Sequence, residues 1–129
     1  ATLEFLRQDF TGLLFTNLIE FDMIYGHRND PQGYAQALHL VDAAVPDLLA
    51  AAQPDDVLLF VADHGVDPTT PSTDHSREYI PLLVFGPRVR SGVNLGVRAS
   101  FSDVGASILE NFGLEKTFFG ASFLSAILG

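Results

Sequence analysis

The apolar run Val57-Leu58-Leu59-Phe60-Val61 stops abruptly at Asp63-His64-Gly65. A polar loop follows, carrying two prolines and then a second acid–imidazole pair, Asp74-His75. A short run of β-branched and aromatic residues bounded by Gly reads as a strand buried on both faces. In an open α/β sheet, the region beyond the C-terminal end of such a strand is where ligands sit. A carboxylate beside an imidazole is a donor set for a divalent ion. One such pair reads more readily as a turn aspartate and an exposed histidine. Two pairs within residues 63–75, with Asp22 and His27 upstream, point to metal.

The flanking sequence supports an α/β class. Thr2 to Asp9 reads as a fragmentary helix. Leu13-Leu14-Phe15-Thr16-Asn17-Leu18-Ile19 reads as another buried strand, and it too runs into an acid, Asp22, with His27 five residues later. An i, i+4 pair is the usual helical way to converge two ligands. The wider spacing, with Gly26 inside it, suggests a loop or a single turn that folds His27 back. Asn29-Asp30-Pro31 is a helix start, a capping side chain followed by Pro in the first turn. Leu38, Val41, Val45, Leu48 and Leu49 then form one helical stripe. Pro46 is expected to kink or divide that helix. His39 lies beside the stripe and is not expected to bind metal. Pro81-Leu82-Leu83-Val84-Phe85-Gly86-Pro87 is a third strand-like run, and residues 88–98 read as loop or hairpin. Ser100 and Asp103 form a weak capping box. Val104, Ile108 and Phe112 mark a helix face closed by Gly113, and Gly120 to Leu128 offers a last short helix. Apolar strands joined by helices predict a parallel sheet flanked by helices.

Length and charge narrow the functional classes. A chain of 129 residues fits one domain and can bury roughly two-thirds of its unfolded surface. A net charge of -9 argues against nucleic-acid binding, which needs a basic stripe. Clustered carboxylates instead favour divalent cations. Without cysteine there is neither a disulfide framework nor a thiolate metal site. No apolar stretch approaches the ~20 residues that span a bilayer, and nothing at the N-terminus resembles a signal peptide. The cytosol is the default compartment. The chain begins at Ala1 inside a helical pattern, which suggests a piece of something longer.

The candidate ligands are Asp22, His27, Asp63, His64 and His75, with Asp67 and Asp74 weaker. Asp74 could instead orient the His75 imidazole. Five N/O donors exceed what one structural zinc uses and suit two ions sharing a site, the usual clamp for phosphoryl transfer. Arg28 and Arg77 each adjoin this set. A guanidinium matches phosphate bidentately, although pairing with Glu78, Asp30 or Asp74 is an equal reading. Asp/His mixtures suit both zinc and manganese, and affinity alone favours zinc.

Three stretches carry a resemblance. Phe15-Thr16-Asn17-Leu18…Phe21-Asp22-Met23…Tyr25-Gly26-His27-Arg28-Asn29-Asp30, then Ala62-Asp63-His64-Gly65-Val66-Asp67-Pro68-Thr69-Thr70-Pro71, then Thr73-Asp74-His75-Ser76-Arg77-Glu78-Tyr79-Ile80-Pro81 are similar to the C-terminal part of bacterial phosphopentomutases, in the alkaline phosphatase superfamily. The similarity runs from about Gly12 to Gly113. It implies a partial alkaline-phosphatase-like core over residues 1–129. It also implies interconversion of ribose 1-phosphate and ribose 5-phosphate, and of the deoxyribose pair, with two divalent ions, usually manganese. Carried over, Asp22, His27 and His75 hold one ion and Asp63 and His64 the other. The family's phosphorylated threonine, one further aspartate ligand and the sugar-binding cap all precede the matching stretch, and no Thr here matches the nucleophile. The resemblance therefore implies a fragment that supplies ligands, is inactive alone, and self-associates through its truncated sheet. Two rivals stay open: another superfamily metalloenzyme such as a phosphoglycerate mutase, and a non-catalytic metal-binding or interaction module.

Overall fold

The computed structural model describes residues 1–129, which divide into two compact units, Ala1–Pro87 and Arg88–Gly129. The first contains helix α1 (Thr2–Leu6), a π turn at Phe21–Gly26, helix α2 (Pro31–Ala51) and strands β1 (Leu58–Val61) and β2 (Leu82–Phe85). The second contains helices α3 (Ser102–Asn111) and α4 (Leu124–Ile127).

The start of α2 follows the local rules. Asp30 is the N-cap and its carboxylate accepts from Gly33 N at 2.9 Å, with Pro31 in the first turn. Asn29 takes a left-handed φ of 49° immediately before it, a conformation that Asn tolerates better than most residues. Pro46 does not divide the helix, which continues as one element to Ala51.

The sheet departs from the expected parallel arrangement. It has two strands, and they are antiparallel, in register Leu58↔Phe85 through Val61↔Leu82. Residues 62–81 leave β1 and re-enter β2 at the same edge without an intervening helix, so the chain reverses. A parallel pair needs a crossover to the opposite edge. Phe60 and Phe85 meet edge-to-face, with centroids 5.9 Å apart.

The stretch Leu13–Ile19 is not a strand. It forms no ladder, and Leu13 and Phe15 are 61% and 79% exposed. A strand exists only when neighbouring backbone satisfies its donors and acceptors, and no strand pairs with this segment; its bonds are a Thr2–Thr16 hydroxyl contact and the acceptance by Ile19 O from Met23 N. In residues 1–87 the only buried positions are Gly26, Gly33 and Gly65. The chain leaves 9053 Å² accessible, above the roughly 6,700 Å² of a monomer of this mass, so the expected burial of two-thirds is not reached.

The second unit has a small core of Ala106, Phe123, Leu124 and Ile127. The expected capping box does not form. Ser100 Oγ accepts from Ser102 N, while Asp103 turns inward, accepting from Ala121 N at 2.8 Å and from Arg98 Nε at 2.7 Å. Ser107 Oγ donates to Asp103 O and accepts from Phe123 N, tying α3 to the approach of α4. The buried face of α3 is thus Asp103, Ala106 and Ser107, with Phe112 at 38% exposure. The hydrogen bonds of Asp103 and Ser107 turn this face inward, while Val104 and Ile108 are part-buried beside it. Gly113, at φ 65°, follows the helix as expected. Residues 88–98 form no hairpin; Val89 instead makes a single antiparallel bridge to Leu128.

Candidate metal centre

Asp22 and His27 are brought together by the turn they occupy. Backbone N–H of His27 donates to Asp22 O at 3.0 Å, an i→i+5 bond. A π turn therefore aligns residues five apart, as an α-helix aligns residues four apart. In it, His27 Nε2 lies 3.3 Å from Asp22 Oδ1. The turn is backed by α2, whose Tyr34 ring meets Phe21 edge-on at 5.2 Å.

The loop 62–81 brings the other donors. It is pinched by a bridge between Gly65 and Ser76, with Ser76 N donating to Gly65 O at 3.0 Å. A Cβ on Gly65 would stand 2.8 Å from Glu78 N, Glu78 O and Ser76 O. All three are backbone atoms, so only glycine permits this approach. His64 and His75 then stack, with centroids 3.6 Å apart and planes at 16°. Their Nε2 atoms reach Asp22 Oδ1 at 3.8 and 3.4 Å. Asp22, His64 and His75 offer ligand atoms all within 4.8 Å of one another.

Asp22 Oδ1 is buried and has no hydrogen-bond partner. The imidazoles explain this. His27 Nδ1 donates to Thr73 O, and His64 Nδ1 lies 3.3 Å from Gly65 O. A carbonyl can only accept, so in the neutral imidazole the proton sits on Nδ1 and Nε2 presents a lone pair. Two such lone pairs and a carboxylate oxygen face one another with no proton between them, and a cation relieves that arrangement. The separations of His27 and His75 from Asp22 Oδ1, 3.3 and 3.4 Å, fit one as well, while His64 stands wider at 3.8 Å. Bonds of about 2.0–2.1 Å in tetrahedral geometry place neighbouring ligand atoms about 3.3–3.4 Å apart.

The remaining expected residues fall at different distances from this centre. Asp63 is at its rim, 92% exposed, with Oδ1 3.7 Å from His64 Nε2. His64 sits near Asp22 and His75, farther from Asp22 Oδ1 than His27 and His75 are. Arg28 and Arg77 are exposed and form no ion pair. Asp67 accepts from Thr69 N and Oγ1, bonds that hold its carboxyl below the usual range, and it shapes the loop. Asp74 is exposed and makes no hydrogen bond to His75, while His39 is exposed on α2.

Thr73 and Tyr34 are participants that reading the residues did not identify. Thr73 acts through its carbonyl, which every residue carries, so residue type gives no signal. The Tyr34 phenol is pushed up by burial and then by the charge of Asp22; only proximity in space reveals it.

The model of the metalloenzyme superfamily matches residues 1–116. The chain is 64% identical over 127 residues to a phosphopentomutase of Herpetosiphon aurantiacus, covering 98% of this chain and 32% of that protein. It is 54% identical to the phosphopentomutase of Acetivibrio thermocellus and 55% identical to that of Kosmotoga olearia, covering 98% of this chain and 33% of each protein. The chain spans about a third of the length of the curated relatives it matches.

Proposed function

The chain belongs to the metalloenzyme superfamily, and from that premise we propose that it is the C-terminal part of the metal-binding core of a phosphopentomutase. The whole protein would interconvert ribose 1-phosphate, or the deoxy sugar phosphate, with the 5-phosphate. The relatives' shared name supports this, together with the three motif stretches. The single observation that carries the site is the buried, partnerless Asp22 Oδ1 faced by Nε2 of His27, His64 and His75.

In this reading Asp22, His27, Asp63, His64 and His75 hold two divalent cations, manganese being favoured and zinc the alternative. Bound cations supply electrostatic neutralisation of phosphoryl oxygens. The chain's own residues prepare that chemistry. Thr73 O and Gly65 O set the tautomers of His27 and His64, and the Gly65–Ser76 bridge holds His64 against His75. Arg28 and Arg77 are exposed guanidinium groups with no carboxylate partner, free to grip phosphate. The phosphorylated threonine and the sugar-binding cap belong to residues preceding this segment, in a cytoplasmic protein. There Leu13–Ile19 and β1 join a larger parallel sheet of the alkaline-phosphatase type. The exposed Leu13 and Phe15 support that placement, and in isolation the same bare stretch promotes self-association.

The test compares the protein carrying its preceding residues with residues 1–129 alone, both supplied with Mn²⁺ and ribose 1-phosphate. The longer protein is expected to form ribose 5-phosphate and residues 1–129 none. Turnover by residues 1–129, or a longer protein active only on phosphoglycerate, overturns the reading.

A further inference from the structure

Besides the approach of Asp22 to His64 and His75, the π turn and the His27 that follows it meet the loop 62–81 at two further places. One is the His27 Nδ1 bond to Thr73 O. The other is Gly26, the one buried residue of the turn, which lies against Val66. A Cβ built on Gly26 would stand 2.8 Å from Val66 Cγ2, 3.5 Å from Val66 Cγ1 and 3.0 Å from Phe21 O. Carbon atoms are at their best separation near 3.5–4.0 Å, so the first of these contacts is a collision. Val66 has little room to yield, because a branched Cβ restricts χ1 and both of its methyl groups already face the glycine.

The consequence reaches the metal centre through geometry. His27 is the next residue after Gly26, and it lies on the turn, whereas His64, His75 and Thr73 lie on the loop. Whatever sets the separation of turn and loop sets the distance from His27 to the others. We propose that Gly26 is a positioning residue for this centre: its missing side chain lets the Phe21–Gly26 turn seat on Val66, and that seat delivers His27 to the His64–His75 stack. The claim rests on the cation reading above for its functional meaning, but the seat itself is a matter of contact and can be tested without metal.

Two readouts on residues 1–129 separate the two ideas. The first, in metal-free protein, is the set of nuclear Overhauser contacts among the imidazoles, whose centroids are 5.0 Å apart for His27–His75 and 3.6 Å for His64–His75. The second is Mn²⁺ affinity by calorimetry. Gly26→Ala is expected to lose the His27–His75 contact while keeping His64–His75, which lies within the loop. It should weaken Mn²⁺ binding by about tenfold or more, the scale of losing ligand support. Gly26→Ala combined with Val66→Ala removes the colliding Cγ2 methyl together with Cγ1, leaving only the 3.0 Å approach to Phe21 O, and should regain the His27–His75 contact, with affinity within about threefold of the parent if the two sites are coupled.

An unchanged His27–His75 contact in Gly26→Ala overturns the proposal. So does a double variant that recovers nothing, because the glycine would then be needed for folding and not for this seat. If the contacts follow the expected pattern while the parent chain binds no Mn²⁺, the seat stands and the cation reading fails.

Discussion

Replacing Asp22 with Asn should stabilise the metal-free chain and destabilise the metal-loaded one. In the parent, Asp22 Oδ1 is buried without a partner and lies 3.3, 3.4 and 3.8 Å from Nε2 of His27, His75 and His64. His27 and His64 commit their Nδ1 protons to carbonyls, so when these imidazoles are neutral the carboxylate faces lone pairs. An unsatisfied buried acceptor costs about 1–3 kcal/mol. Asparagine has nearly the same shape, and its amide nitrogen can donate to one of the Nε2 atoms across the same 3.3–3.4 Å. Thermal unfolding in chelator should therefore rise by roughly 3–10 °C. With Mn²⁺ the order reverses. The parent gains about 2.7 kcal/mol when the ion is a hundredfold above its Kd, and the variant, lacking the anionic ligand, should gain little. The assay is a pair of melting curves for each protein, with chelator and with Mn²⁺. If the variant melts lower in chelator and still gains the parent's full increment from Mn²⁺, then Asp22 is a structural acid and the reasoning about facing lone pairs is wrong.

Two pH effects follow from the same structure. The Asp103 carboxyl is held below its ordinary value of 3.8 by the Ala121 N–H bond, against the opposing effect of burial, and further by Arg98. Between the folded value and 3.8 the unfolded chain holds more protons, so stability rises with pH there. The contribution is complete above 3.8 and is lost as pH falls through the folded value. Urea midpoints measured across the acid range should show this fall, and Arg98→Ala should make it shallower without abolishing it, because the Ala121 bond remains. Tyr34 titrates above 10.0 from burial and, second, from the charge of Asp22. In metal-free protein, Asp22→Asn should lower that value while leaving it above 10.0, which an NMR titration of the tyrosine ring carbons would detect; no movement would mean that the two groups do not sense each other.

Local chemistry was legible along the chain. Asn29-Asp30-Pro31 starts α2 where a capping side chain and a proline require it. Asp22, His27, Asp63, His64 and His75 stand out because acid and imidazole recur together past the ends of apolar runs, where a single pair would read as a turn. The triad Asp22, His64 and His75 does lie in one place. Those signals are short-range, and a sequence carries short-range signals directly.

Partners distant along the chain were beyond that reach. Leu13–Ile19 has the composition of a strand, but strand formation depends on a neighbour to complete the ladder, and none pairs with it. β1 and β2 look alike in any orientation; the return of residues 62–81 to the same edge made them antiparallel. Asp103 has the spacing of a capping residue, yet Arg98 and Ala121 compete for it and win once the chain is packed. The spacing of Asp22 and His27 was suspicious for a helix and became a match when packing against Val66 and α2 admitted an i→i+5 turn. Residue types state which groups are available; the free energy of bringing distant ones together exists only in the folded arrangement.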